Sequence, residues 1–211
     1  MHGAAETFLY ALTALLVIID PVGTAAMFAT MTPRDTLAER AAQAKRACLI
    51  AFVVLAAFGL AGEGLLRGMG IGLPAMKVAG GILLFLTAAD MVTARGALRA
   101  TEPERQAAIR TEDDISVFPL AIPLIAGPGA MTTMVLLHSS AAGAASRIAA
   151  IQLALLAAIL LQLACLLLAR HVARLLGETG ASVVGRVLGV LLAALAAQIT
   201  LDGLHEGLLR G

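Results

Sequence analysis

The sequence predicts an all-α membrane protein of six transmembrane helices, and three observations predict it. Of 211 residues, 60% are hydrophobic and only 14% are charged, against about a quarter charged in an ordinary soluble domain. The mean hydropathy is +0.93. The apolar residues fall in runs of about 20, the length that crosses the hydrocarbon core, and none alternates with the period of two that a barrel strand needs. In lipid every backbone donor and acceptor must be satisfied within the chain, so such spans are helices.

In order, the runs are Phe8 to Met31, Ala47 to Leu66, Leu73 to Thr93, Val117 to His138, Ile148 to Ala169 and Val183 to Leu204. The amino terminus lacks the basic stretch of a cleaved signal, so the run from Phe8 is expected to be a true first span. Lys and Arg set the orientation. Loop one carries Arg34, Arg40, Lys45 and Arg46, loop three carries Arg95, Arg99, Arg105 and Arg110, and loop five carries Arg170 and Arg174. Loops two and four hold only Arg67 and Arg147, and the tail holds only Arg210. Loops one, three and five are expected in the cytoplasm, with both termini outside a cytoplasmic (inner) membrane.

The two halves resemble each other. Asp20-Pro21-Val22-Gly23 interrupts the first span and Gly127-Pro128-Gly129-Ala130 the fourth, while Lys77-Val78-Ala79-Gly80 opens the third and Arg186-Val187-Leu188-Gly189 the sixth. The offset from Pro21 to Pro128 agrees within two residues with those from Lys77 to Arg186 and from Gly80 to Gly189. Three spans per repeat force the second copy to be inverted, the layout of many secondary transporters. The expected organisation is a single transmembrane domain over 1–211, with repeat one over 5–95, a cytoplasmic linker over 96–115 and repeat two over 116–206.

Proline inside a helix removes a donor and clashes with the preceding turn, and glycine loosens the backbone. The first and fourth helices are therefore expected to be broken, leaving half-helix ends that face each other near the membrane centre. Amino ends suit a carboxylate and carboxyl ends suit a cation, so a zwitterion with a small side chain matches both. The candidate binding residues are Asp20, Pro21, Gly23, Thr24, Gly127, Pro128, Gly129, Ala130, Thr132, Thr133 and Gln198. A carboxylate at Asp20's depth is costly unless paired or hydrated. It is read as a coupling or ammonium-binding group, or as a cap accepting the Gly23 or Thr24 amide. Lys77 with Glu63 or Asp202, and Arg186 with Asp90, are expected as ion pairs at the two mouths, acting as gates or as neutralised charges. For Thr24, Thr132, Thr133, Gln152, Gln162, Gln198 and Thr200 the plain expectation is an interhelical hydrogen bond. The ladder Gly185, Gly189, Ala193, Ala197 reads as a packing seam.

Other chemistry finds little support. Cys48 and Cys165 each sit alone in an apolar run, as buried structural thiols do, and no metal or other cofactor is expected. The four His lie at the ends, at a span end or in a loop with no convergent carboxylates, so no enzyme is expected. A net charge of +1 gives no basic excess for nucleic acid. The rival to a carrier is an ion channel or inorganic-ion exporter with Asp20 as ligand, weakened by Gly127 standing where a second carboxylate would be needed.

Ile19-Asp20-Pro21-Val22-Gly23, Phe28 and Met31-Thr32-Pro33 resemble the opening of the MarC family of membrane proteins. The resemblance continues through Pro74-Ala75-Met76-Lys77-Val78-Ala79-Gly80-Gly81-Ile82 and Phe118-Pro119-Leu120-Ala121-Ile122-Pro123-Leu124-Ile125-Ala126-Gly127-Pro128-Gly129-Ala130, and closes with Gln198 and Leu201-Asp202-Gly203. It implies an inner-membrane protein of six spans near the LysE-type exporters. It also implies transport of small neutral amino acids such as alanine and glycine, driven by protons, with those solutes, protons and the bilayer as partners and a homo-oligomer left open. Thr24 stands where many relatives carry Asn, and Ala26 where they carry a second Pro. The resemblance thus implies a less sharp first break and leaves room for a different solute.

Overall fold

The computed structural model describes residues 3–32, 34–93 and 114–209, with side chains omitted at 172–179, 181, 182, 184 and 185. Pro33, Arg95, Arg99, Arg105, Arg110, Arg210, the side chain of Arg174 and nearly all of the expected linker over 96–115 lie outside the described residues. Among the described residues there are helices and turns and no strand.

Helix α1 (Ala4–Ile19) ends where Asp20 takes a left-handed backbone, φ 47° and ψ 71°. Helix α2 (Pro21–Met31) restarts at once, because Pro21 at its first position has no amide to leave unsatisfied. Helix α3 (Leu37–Gly68) opens on a capping box: the Glu39 amide donates to Thr36 Oγ1 at 3.2 Å, and the Thr36 amide donates to Glu39 Oε2 at 2.8 Å. Gly70, with φ 71°, turns the chain into α4 (Leu73–Thr93). Segment α5 (Ser116–Ile125) is a wide, irregular helix with extended backbone at Phe118 and Ile122. Each precedes a proline, which disfavours the helical region at the residue before it. Helix α6 (Pro128–Ser140) follows, then a turn through Ala142 and Gly143, then α7 (Ala145–Leu167) and α8 (Ala169–Leu209).

Among the described residues, five stretches are long and apolar enough to cross a membrane: Ala4–Met31, Leu37–Gly68, Leu73–Thr93, Ala145–Leu167 and Arg186–Leu209. The pair α5 and α6, bent by 55°, makes a sixth if counted as one span. Loop five, expected around Arg170 and Arg174, is instead helical from Ala169 onward. No proline interrupts 168–209, and without such a breaker the helix continues.

One buried apolar cluster joins α1, α2, α3, α5, α6 and α7, including Leu15, Ile19, Phe28, Leu55, Ile125, Met134 and Leu155. A second joins α4 and α8 through Leu84, Ala88, Leu192 and Ala196, with Val17 and Ile18 of α1 packed against it. The α4–α8 pair is antiparallel: Gly203 backs onto Pro74 and Lys77, Gly81 onto Ala196 and Thr200, and Gly189 onto Ala88, Met91 and Val92. The expected seam holds at Gly189 and at Ala193, which packs against this second cluster, and fails at Ala197, while the packing at Gly185 lies outside the described residues. Ala197 is exposed, whereas Gly189, Ala196 and Gly203 are buried. Steps of four residues drift around a helix of 3.6 residues per turn, while steps of seven stay nearly on one face.

Candidate functional site

At the first interruption the Asp20 carboxylate turns back over the start of α2 and accepts the Gly23 amide at 3.0 Å. Asp20 is half-buried and Pro21 buried. A Cβ on Gly23 would stand 2.1 Å from Asp20 Oδ2, so glycine is what lets the carboxylate lie there. Thr24 is buried, and its hydroxyl donates to the Ile19 carbonyl at 3.0 Å, satisfying an acceptor that the break releases.

The second interruption is built differently. Gly127 caps α6 in an extended conformation, φ −75° and ψ 169°, and offers no side chain to the amides behind it. A Cβ there would meet the Pro123 carbonyl at 2.7 Å. Pro128 fills the first helical position, and the Thr132 hydroxyl donates to its carbonyl at 2.9 Å. Thr133 is buried, and its hydroxyl has no hydrogen-bond partner. One amino end is thus closed by a carboxylate, while the other is left without a side-chain cap.

The breaks are neighbours. A Cβ on Gly129 would lie 3.9 Å from Ile18 and 2.4 Å from Leu84, and one on Gly80 would lie 1.9 Å from the Thr132 methyl. Elements α1, α4 and α6 therefore meet at this level with glycines at the contacts. Of the candidates read from the sequence, Asp20, Pro21, Gly23 and Thr24 gather at one break, and Gly127, Pro128, Gly129, Ala130, Thr132 and Thr133 at the other. Gln198 does not join them: it is exposed on α8 and donates to Asp202 at 2.8 Å.

The expected pairing of Lys77 with Glu63 or Asp202 is also corrected. Lys77 bonds Glu206 at 2.5 Å, and Glu63 bonds Arg67 one turn along its own helix. Glu206 escaped the sequence reading because it lies just past the apolar run that ends at Leu204, although it falls one turn beyond Asp202 on the same face. Asp90 is half-buried on α4 and Arg186 exposed on α8. Near Lys77 a groove of about 720 Å³ is lined by Glu63, Arg67, Pro74, Val78, Gly203 and Gly207, none of them a residue of the breaks. Of the glutamines expected to bond between helices, Gln152 does so, reaching His138 at 2.9 Å from α7 to α6, whereas Gln162 is buried with neither amide atom bonded.

Helices of this length and hydropathy, packed through buried small residues, define a multi-pass integral membrane protein. Residues 5–208 match the model of a family described as MarC family integral membrane protein, and the chain belongs to that family. It is 36% identical over 207 residues to a UPF0056 membrane protein of Archaeoglobus fulgidus, covering 98% of this chain and 96% of the relative. It is 35% identical over 204 residues to one from Methanocaldococcus jannaschii, covering 97% and 98%. Against the UPF0056 inner membrane protein YhgN of Escherichia coli it is 32% identical over 199 residues, covering 90% and 92%. No solved structure matches the chain.

Proposed function

We propose that the chain is a proton-coupled secondary transporter of small neutral amino acids of the alanine and glycine kind, working as two inverted three-helix repeats in a cytoplasmic membrane. The observation that carries this reading is the asymmetry of the two breaks: an uncapped amino end at α6 beside an amino end already closed by Asp20. The Gly129 and Ala130 amides at the uncapped end suit a carboxylate, and the unbonded Thr133 hydroxyl supplies a further donor. Asp20, at the neighbouring break, would receive an ammonium group or the coupling proton. Crowding at Gly80 and Gly129 favours a solute with little or no side chain.

The test is uptake of labelled alanine and glycine into proteoliposomes, with and without an imposed proton gradient. Asp20→Asn is the informative variant, because asparagine still caps a helix but holds no titratable carboxyl. Gradient-stimulated uptake that this change abolishes supports the proposal. A folded wild type that moves neither amino acid above protein-free vesicles removes it.

A further inference from the structure

Gln162 differs from the other glutamines of the spans. Gln152 bonds across to His138, and Gln198 bonds Asp202 within its own helix. Gln162 is 0% exposed, and both its Nε2 and its Oε1 are unpartnered. An unsatisfied buried amide is costly, and on this α7 face its buried companions are apolar: Leu155, Ala158, Ile159 and Leu166.

Its depth follows from helix geometry. Helices α6 and α7 flank a tight turn and are pinned at one end by the His138–Gln152 contact. From that pin, Pro128 lies ten residues back along α6 and Gln162 ten residues onward along α7, about 15 Å in each case at 1.5 Å per residue. The start of α6 meets α1 at Ile18, two residues before Asp20. Helix α7 packs along both α1 and α2, so the Asp20 junction lies against it, and α3 flanks it too. The helix that carries the unbonded carboxamide thus packs on both helices that flank Asp20, and the start of α6 packs on the one that leads into it.

We infer that Gln162 is a third solute-binding element, on α7, facing the space between the two breaks. Its amide N–H groups would donate to a carboxylate and its carbonyl would accept from an ammonium, a match that a single apolar or charged side chain lacks. The inference deepens the transport reading and rests on it for the identity of the solute, whereas the polar, accessible surroundings it requires of residue 162 are independent of that identity.

Two measurements test it. In a chain with Cys48 and Cys165 replaced by Ala, Gln162→Cys is treated with a charged, water-soluble methanethiosulfonate reagent, with and without alanine. Labelling is expected, slowed severalfold by alanine. In otherwise native chain, Gln162→Leu is expected to raise the KM for alanine about tenfold, the worth of one hydrogen bond to a charged group. It should do so with no loss of thermal stability, and Gln162→Asn should recover part of the affinity. A wild-type KM in the Leu variant overturns the inference, and so does a cysteine at 162 that never reacts. If the wild type carries neither alanine nor glycine, the transport proposal fails and labelling alone decides. Reaction at 162 then upholds a polar binding space for another solute, and silence there overturns it.

Discussion

Gly23→Ala probes the first break through an atom that is not there. The added Cβ would stand 2.1 Å from Asp20 Oδ2 and 2.8 Å from its Cγ, so the carboxylate must swing away and release the Gly23 amide it holds at 3.0 Å. Loss of a side-chain cap costs about 1–2 kcal/mol, while alanine in place of glycine within a helix returns up to about 1 kcal/mol. Gly64 is the control: it lies in α3, and a methyl group added there would meet nothing within 4 Å, so alanine brings the gain without the loss. The two variants should therefore differ by about 1–2 kcal/mol. In a chain of this size that separates their melting temperatures by about 2–8 °C, measured side by side in detergent. In an Asp20→Ala background the clash partner is gone, and Gly23→Ala should become neutral or stabilising. Equal melting temperatures for Gly23→Ala and Gly64→Ala, or the same effect of Gly23→Ala in both backgrounds, would refute the reasoning.

Gly80→Ala should destabilise by about 1–3 kcal/mol, the cost of overpacking, because its Cβ would fall 1.9 Å from the Thr132 methyl; thermal unfolding checks it, and Thr132→Ser should relieve part of the loss. Thr36→Ala should cost about 0.5–2 kcal/mol through loss of the α3 capping box, seen as a lower melting temperature and faster proteolysis in loop one. Lys77→Met should cost no more than about 1 kcal/mol, since its pair with Glu206 is 25% and 38% exposed and solvent screens it. A Lys77→Glu, Glu206→Lys double variant should restore wild-type stability, which thermal scans at low and high salt will show.

What the sequence determined by itself was set by local and solvent terms. Charge-free apolar runs such as Leu73 to Thr93 can only be helices in lipid, and Pro21 and Pro128 stop a helix wherever it packs. The four residues around each break, and the cap that Asp20 makes on Gly23, were legible for the same reason. Loop five was not: nothing at 168–209 forbids a helix, so the chain kept one where charge alone had drawn a loop. What only the tertiary structure decided is which distant groups share a face and a depth. Lys77 found Glu206 instead of Asp202, and the seam left the expected ladder after Gly189 and Ala193, running on through Ala196 and Gly203 instead of Ala197. Gln198 is exposed and bonded to Asp202, while Gln162 is buried and unbonded. Helix rotation and crossing set these outcomes through the summed packing of many small side chains, and no single residue's chemistry carries that information.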